Sequence, residues 1–163
     1  MPMPDLSAGK TLTFRGTSLN TAAASVSNGQ SVISGIKVTH LDVSAVEIRQ
    51  FTEPLALLDG IDVGGAWLGA RHIEMRGTVY GATHAAAADL ITTLEALFLI
   101  ESGEFAFYAL VFTKMSTGGG TTTIYCRPNG LRYNYDWSKH AGDASLPLAI
   151  EWAVTLYAKD PTF

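Results

Sequence analysis

The sequence predicts a mainly β protein, an antiparallel sandwich or barrel of about eight strands with one packed α-helix at about residues 84–99. Three observations carry this reading. Several stretches alternate apolar and polar residues, most clearly Leu146, Leu148, Ile150, Trp152, Val154 and Leu156 against Glu151, Ala153, Thr155 and Tyr157, which is the period of a strand with one buried face. One stretch has helical spacing instead: Leu90, Ile91, Leu94, Leu97 and Phe98 share a face. The apolar stretches are joined by short turn-rich segments rather than repeated helices, which favours antiparallel pairing.

Residues 1–9 contain Pro2 and Pro4 and read as a flexible N-terminal arm, leaving residues 10–163 as a single domain. From Lys10 the chain alternates, with Leu12 and Phe14 on one side of a half-buried strand. Residues 16–31 are small and polar, and Asn28-Gly29 is a tight-turn signal, so this part reads as a loop or a poorly packed hairpin. Val32, Ile36, Val38 and Val43 form a strand in which Gly35 marks a bulge or a close neighbouring backbone. Val46, Ile48 and Phe51 continue as another strand that Pro54 ends.

The stretch Leu55 to Gly69 holds Gly60, Gly64, Gly65 and Gly69 beside Trp67 and Leu68, and it reads as a long loop carrying apolar residues. Ile73, Met75 and Val79 lie on one face of the next strand. Gly77 interrupts that series, which predicts something bulky above it, with the following helix as the candidate. Thr83 is placed to cap the helix. Phe105 to Phe112 is apolar on both faces and reads as a central covered strand. Gly118 to Gly120 reads as a hairpin tip, Pro128-Asn129-Gly130 as a turn, and Asp160-Pro161 as the stop of the last strand.

Composition bounds the function. The 163 residues are 47% hydrophobic and 16% charged, against roughly 25% charged in average domains. Either a dry core sits under a Ser/Thr/Gly surface, or subunit faces cover part of the molecule. The net charge is −4 and the 11 Lys and Arg residues are scattered, which argues against a phosphate-neutralising surface. Cys126 is the one cysteine, so neither an intrachain disulfide nor a thiolate metal cage is expected, and folding without oxidation suits a bacterial cytoplasm. The N-terminus has no signal-peptide pattern, and Ala96 to Ile100 is far short of a membrane span, so no membrane anchoring is expected.

Catalytic, metal and cofactor sites are not expected. His40, His72, His84 and His140 lack zinc-site spacing. Arg127 beside Cys126 would lower the thiol pKa, yet a lone strand cysteine reads better as a small apolar residue. Gly118-Gly119-Gly120 lacks the lysine of a phosphate loop. Asp59 and Asp62 suit a turn better than a calcium loop. Tyr133, Tyr135 and Trp137 share one parity and would stack on sugars or bases if exposed; with Arg132 their one basic neighbour, core or interface packing is the preferred reading. The chain is therefore not expected to be an enzyme.

Asp59-Gly60, then Leu68-Gly69-Ala70-Arg71, Ile73, Met75, Gly77 and Val79, then one helix, then a strand-rich remainder closing on Val154-Thr155-Leu156-Tyr157-Ala158-Lys159-Asp160-Pro161, form an order of motifs. Over residues 46–161 this order resembles the distal tail protein family of long-tailed phages, which gene transfer agents and tailocins also use in related form. The resemblance implies a tail-tube-like fold and a homo-hexameric ring where tail tube meets baseplate. The implied partners are the tail tube protein, the baseplate hub proteins and double-stranded DNA that passes without specific binding. The implied place is the virion tail, assembled in the host cytoplasm. The family's C-terminal receptor- or carbohydrate-binding domain has no expected counterpart before Phe163.

A cyclic ring needs two different faces per subunit. The expected faces are the strands Val32 to Val43 and Val46 to Phe51, with Ile36, Val38 and Ile48, and a second face with Trp67 and Leu68. Acidic residues facing a lumen would repel phosphates within the screening length of about 8 Å; Asp42, Glu47 and Glu53 are the candidates. Two other readings stay open: a tail tube subunit that stacks rings into tubes, and a carbohydrate-binding β-sandwich module using Tyr133, Tyr135 and Trp137.

Overall fold

The computed structural model describes residues 11–27, 29–43, 48–54, 61–68, 71–100, 106–113, 120–134 and 142–158, with backbone alone for residue 27 and for 48–54 and 61–68. The arm at residues 1–9, Glu47, Asp59, Tyr135, Trp137 and His140 lie outside them. Among the described residues, ten strands and one helix follow in order: β1 Leu12–Phe14, β2 Thr17–Ser18, β3 Ala23–Ser27, β4 Gln30–Val43, β5 Ile48–Pro54, β6 Ile61–Leu68, β7 His72–Gly81, α1 His84–Leu97, β8 Tyr108–Thr113, β9 Thr121–Asn134 and β10 Leu148–Ala158. Eight of the strands make one antiparallel sheet in the order β2-β1-β8-β9-β10-β7-β4-β3, and β5-β6 form a separate two-stranded ribbon. The sheet curls into a half-barrel and the helix lies in its hollow.

The alternating sequence of β7 and β10 dictates this arrangement. In β10 the residues Leu148, Ile150, Trp152, Val154, Leu156 and Ala158 are buried, and in β7 the buried side chains are Ile73, Met75 and Val79. The register sets them side by side, Ile73 opposite Leu156, Met75 opposite Val154 and Val79 opposite Ile150. The helix starts where Thr83, in extended conformation, accepts the Ala86 N–H on its hydroxyl at 3.2 Å, which satisfies one of the orphan donors of a first turn. Its buried face is Ala87, Ile91, Leu94 and Leu97. Phe98 ends the helix and stacks on Phe14 at 5.1 Å between ring centroids, with Trp152 at 6.0 Å, tying β1, α1 and β10 into one core.

Several expectations change at glycines. Gly77 faces the Trp152 side chain and the Lys37 carbonyl, not the helix; α1 instead meets Gly81, where an added Cβ would lie 2.6 Å from Ala87 Cβ. Gly35 has φ +121° and packs on the backbone of Thr21, so the close approach is at Gly35. The bulge of β4 falls four residues later, between Val38 and His40. Pro128-Asn129-Gly130 is not a turn. The three residues lie inside β9, where the register slips against β10 between Val154 and Leu156 and Gly130 has φ +136°. β8 ends its pairing opposite Cys126, so Pro128, which has no N–H to give, falls where that edge of β9 needs none.

The expected loop from Leu55 to Gly69 contains a strand: β6 pairs with β5 from Ile61 opposite Pro54 to Leu68 opposite Ile48, with a register shift at Phe51/Thr52. Residues 16–31 resolve into the β3–β4 hairpin, and Leu19 in that segment is fully buried. β8 lies between β1 and β9 as an inner strand, but Leu110 is its one fully enclosed side chain; the others are half-buried.

Candidate assembly surfaces

The hollow of the sheet is filled by the helix and the core, which leaves the convex face, the sheet edges and the β5–β6 ribbon as candidate surfaces. On the convex face the antiparallel register builds rows across three or four strands. One row is His40, Arg76, Ala153 and Arg132; the next is Lys37, Thr78, Glu151 and Asn134; a third is Asp42, Glu74 and Thr155. Arg76 bonds Glu74 through Nη2 at 2.7 Å and Nε at 2.8 Å, and Asn134 donates to Glu151 at 3.3 Å. Ala153 and Thr78 floor a shallow depression of about 430 Å³ rimmed by Arg76, Arg132, Glu74 and Glu151. Charges of both signs alternate there, and an exposed pair such as Glu74–Arg76 contributes about 0–1 kcal/mol.

The residues singled out by sequence are distributed unevenly. Ile36 is 3% exposed and belongs to the core, so its side chain is occupied within the subunit, and Val38 is half-buried against the same core. Asp42 is exposed on the convex face, with Glu74 as its cross-strand neighbour. Glu53 is opposite Asp62 in the β5–β6 register. Ile48 and Leu68, assigned by sequence to two different faces, are Cα partners in one ribbon, as are Arg49 and Trp67. These residues form a single strand pair.

The chemistry of the titratable groups is modest. Among the described residues no group of three or more His, Cys, Asp or Glu could hold a metal ion. His72 packs edge-on against Tyr157 at 4.6 Å, and the Tyr157 hydroxyl accepts from Asn129 at 2.9 Å. The Cys126 thiol lies in the core, and burial pushes its pKa up to about 12. The Ser145 backbone N–H at 2.9 Å, then its hydroxyl at 2.8 Å, hold the Asp143 carboxyl below its ordinary value against a small opposing burial effect, with a lesser pull from His84. Tyr133 is half-buried against the core.

The sequence reading placed Val32 to Val43 on a subunit face but missed β3, its hairpin partner, as part of that surface. Val26 is 78% and Ile33 48% exposed. The signal was present: no charged residue occurs between Arg15 and Lys37.

The class defined by this geometry is an antiparallel half-barrel domain with one helix in its hollow and, among the described residues, no buried polar or charged side chain. No model of a known protein family matches the sequence, and no curated protein matches it. Among solved structures the chain is similar to the crystal structure of SPP1 Dit (gp 19.1), described as a paradigm of the hub adsorption apparatus in phages that infect Gram-positive bacteria. The two share 18% identity with a TM-score of 0.61, over 93% of this chain and 50% of that one. At that identity the likeness establishes the fold, and this chain spans half the length of that protein.

Proposed function

We propose that this chain is a structural subunit of a phage tail or phage-like particle, a distal tail protein that forms a homo-hexameric ring between tail tube and baseplate hub. The observation that carries the reading is the likeness to SPP1 Dit over 93% of the chain. The distal tail motif order in residues 46–161 agrees with it and is read from the sequence alone. The molecule is built as a structural part would be: a dry core, a convex face of mixed charge and two unequal sheet edges.

In this reading double-stranded DNA passes through the ring without being held. Asp42, the one candidate channel acid whose side chain is described, is exposed on the convex face beside Glu74. Acidic groups within about 8 Å of a passing duplex repel its phosphates. Val38, Ile48, Trp67 and Leu68 remain the proposed subunit contacts, and Ile36 drops out because it is buried.

The test is the mass of the purified protein by light scattering, with negative-stain images of the same fraction. Discrete rings of about six subunits support the proposal. Long tubes would assign the chain to the tail tube, and a monomer at every concentration that binds glycans through Tyr133 would replace the proposal with a binding module.

A further inference from the structure

β3 is the last strand of the eight-stranded sheet, and it pairs on one side only, Ala23 to Ser27 against Ser34 to Gln30. Farther along β4 the same edge is closed from within the chain. There Thr21 Oγ1 accepts the Ile36 N–H at 3.0 Å and Asn20 Oδ1 accepts the Val38 N–H at 2.9 Å. Among the described residues β3 itself has no second neighbour strand.

Edge strands exposed to water are normally guarded by lysine, proline, a bulge or extreme shortness. The opposite edge, β2, has only the two residues Thr17–Ser18. β3 carries none of these guards. Residues 16–36 contain neither a charged residue nor a proline, the β3–β4 ladder runs without a register shift, and Val26 and Ile33 are open to solvent. Such an edge is built to be paired.

The β5–β6 ribbon has the complementary deficiency. Among the described residues it is a two-stranded sheet, and an isolated strand pair is marginal in water without a third strand or a packed face. Its two edges differ in composition: β5 carries Arg49, Glu53 and Pro54, whereas β6 has Asp62 and the bulged Gly64 near its start and then runs from Gly65 to Leu68 with no charge, proline or bulge. The stretch Gly65 to Leu68 of β6 therefore offers the unguarded edge.

We propose that β3 of one copy adds edge-on to β6 of a neighbouring copy, giving the ribbon its third strand and the main sheet its ninth. The occupant is a second copy because each chain carries both unguarded edges. The contact rests on the ring reading, which requires two different faces per subunit. Main-chain hydrogen bonds hold such a joint, so it depends on backbone register more than on particular side chains.

Disulfide trapping tests the joint, with a low background because Cys126 is buried. Ser25→Cys is combined in the full chain with Gly65→Cys, Ala66→Cys or Trp67→Cys, covering three registers, and each variant is oxidised gently and run without reductant. Neighbouring strands bring Cα atoms to about 4.5–5.5 Å, within disulfide reach. The expected result is a ladder of covalent multimers for at least one pair, and dimers alone when the matching single-cysteine chains are mixed. Rings by light scattering with no ladder in any register would overturn this contact and leave the ring standing. A ladder without closed rings would support the contact and overturn the ring. Dimers from Ser25→Cys alone would mean that β3 pairs with itself, and a monomer at every concentration would overturn both readings.

Discussion

Trp152 lies over Gly77 across the β7–β10 ladder. The two are Cα partners, and a methyl group on Gly77 would come within 2.8 Å of both Cε2 and Cζ2 of the indole. The Lys37 carbonyl closes the other side. Gly77 is thus required for space and not for an unusual backbone angle, and the absent side chain is what lets a 2% exposed indole sit at the centre of the core.

Gly77→Ala is therefore expected to destabilise the fold by roughly 1–3 kcal/mol, as overpacking does in a close-packed interior. Gly120→Ala is the control, since nothing lies within 4 Å of a Cβ there, and it should stay within about 0.5 kcal/mol. Denaturant midpoints followed by tryptophan fluorescence separate the two, and equal midpoints would refute the packing argument.

Whether a feature was legible in the sequence depended on how local its cause is. The helix, its Thr83 cap and the alternation of β10 were readable because periodicity and capping are written within a few residues. The partner of Gly77 was not, because it depends on the register of two strands some 75 positions apart in the chain. Pro128-Asn129-Gly130 carries the same local signal for a turn and for a bulge, and only the pairing with Thr155 and its neighbours decides between them. Ile36 points into the core for a related reason, its register opposite the buried Val79, and the bulge at Thr39 then reverses the strand parity so that Leu41 and Val43 pack on the same core. Glycines in Ile61–Leu68 outweighed its strand pattern, yet a bulge at the Phe51/Thr52 position accommodates them.

Thr83→Ala should cost about 0.5–2 kcal/mol by removing the acceptor of the Ala86 N–H. Thr83→Asp or Thr83→Ser keeps an acceptor and should recover most of that loss. If thermal melts place the Ala variant level with wild type, the cap contributes nothing.

The Cys126 thiol should be inert to a thiol-specific reagent in the native protein at pH 8 and react only after unfolding. Its folded pKa of about 12 lies above the ordinary 9.0 because burial disfavours the thiolate. A group raised in this way contributes stability that is intact below pH 9 and is lost as pH rises from about 9 through about 12. Cys126→Ala should flatten that alkaline loss, and a profile unchanged by the substitution would show another group to be responsible.

Trp67→Ala should raise the concentration needed for assembly without changing the melting of the isolated subunit, if the β5–β6 ribbon joins neighbouring copies. Sedimentation over a concentration series reads the first quantity and circular dichroism the second. An oligomer unchanged in mass across the series would remove Trp67 from the interface.

Arg15 holds two opposing effects in one residue. Its φ of +50° puts it in the left-handed region next to Gly16 at φ +76°, a two-residue hairpin turn that joins Phe14 to Thr17. A residue with a Cβ pays about 1–2 kcal/mol there. The guanidinium lies 3.5 Å from the centroid of the Tyr108 ring, an attraction of about 0.5–2 kcal/mol, and the Arg15 N–H donates to the Ala109 carbonyl at 3.2 Å, which holds the turn against β8. Arg15→Gly removes the strain and the cation–π contact together, so the two should nearly cancel, leaving stability within about 1 kcal/mol of wild type. Arg15→Ala keeps the strain and loses the contact, and it should be the less stable variant by about 1 kcal/mol. Denaturant unfolding of both variants decides the matter, because an Ala variant as stable as the Gly variant would mean that the turn carries no strain.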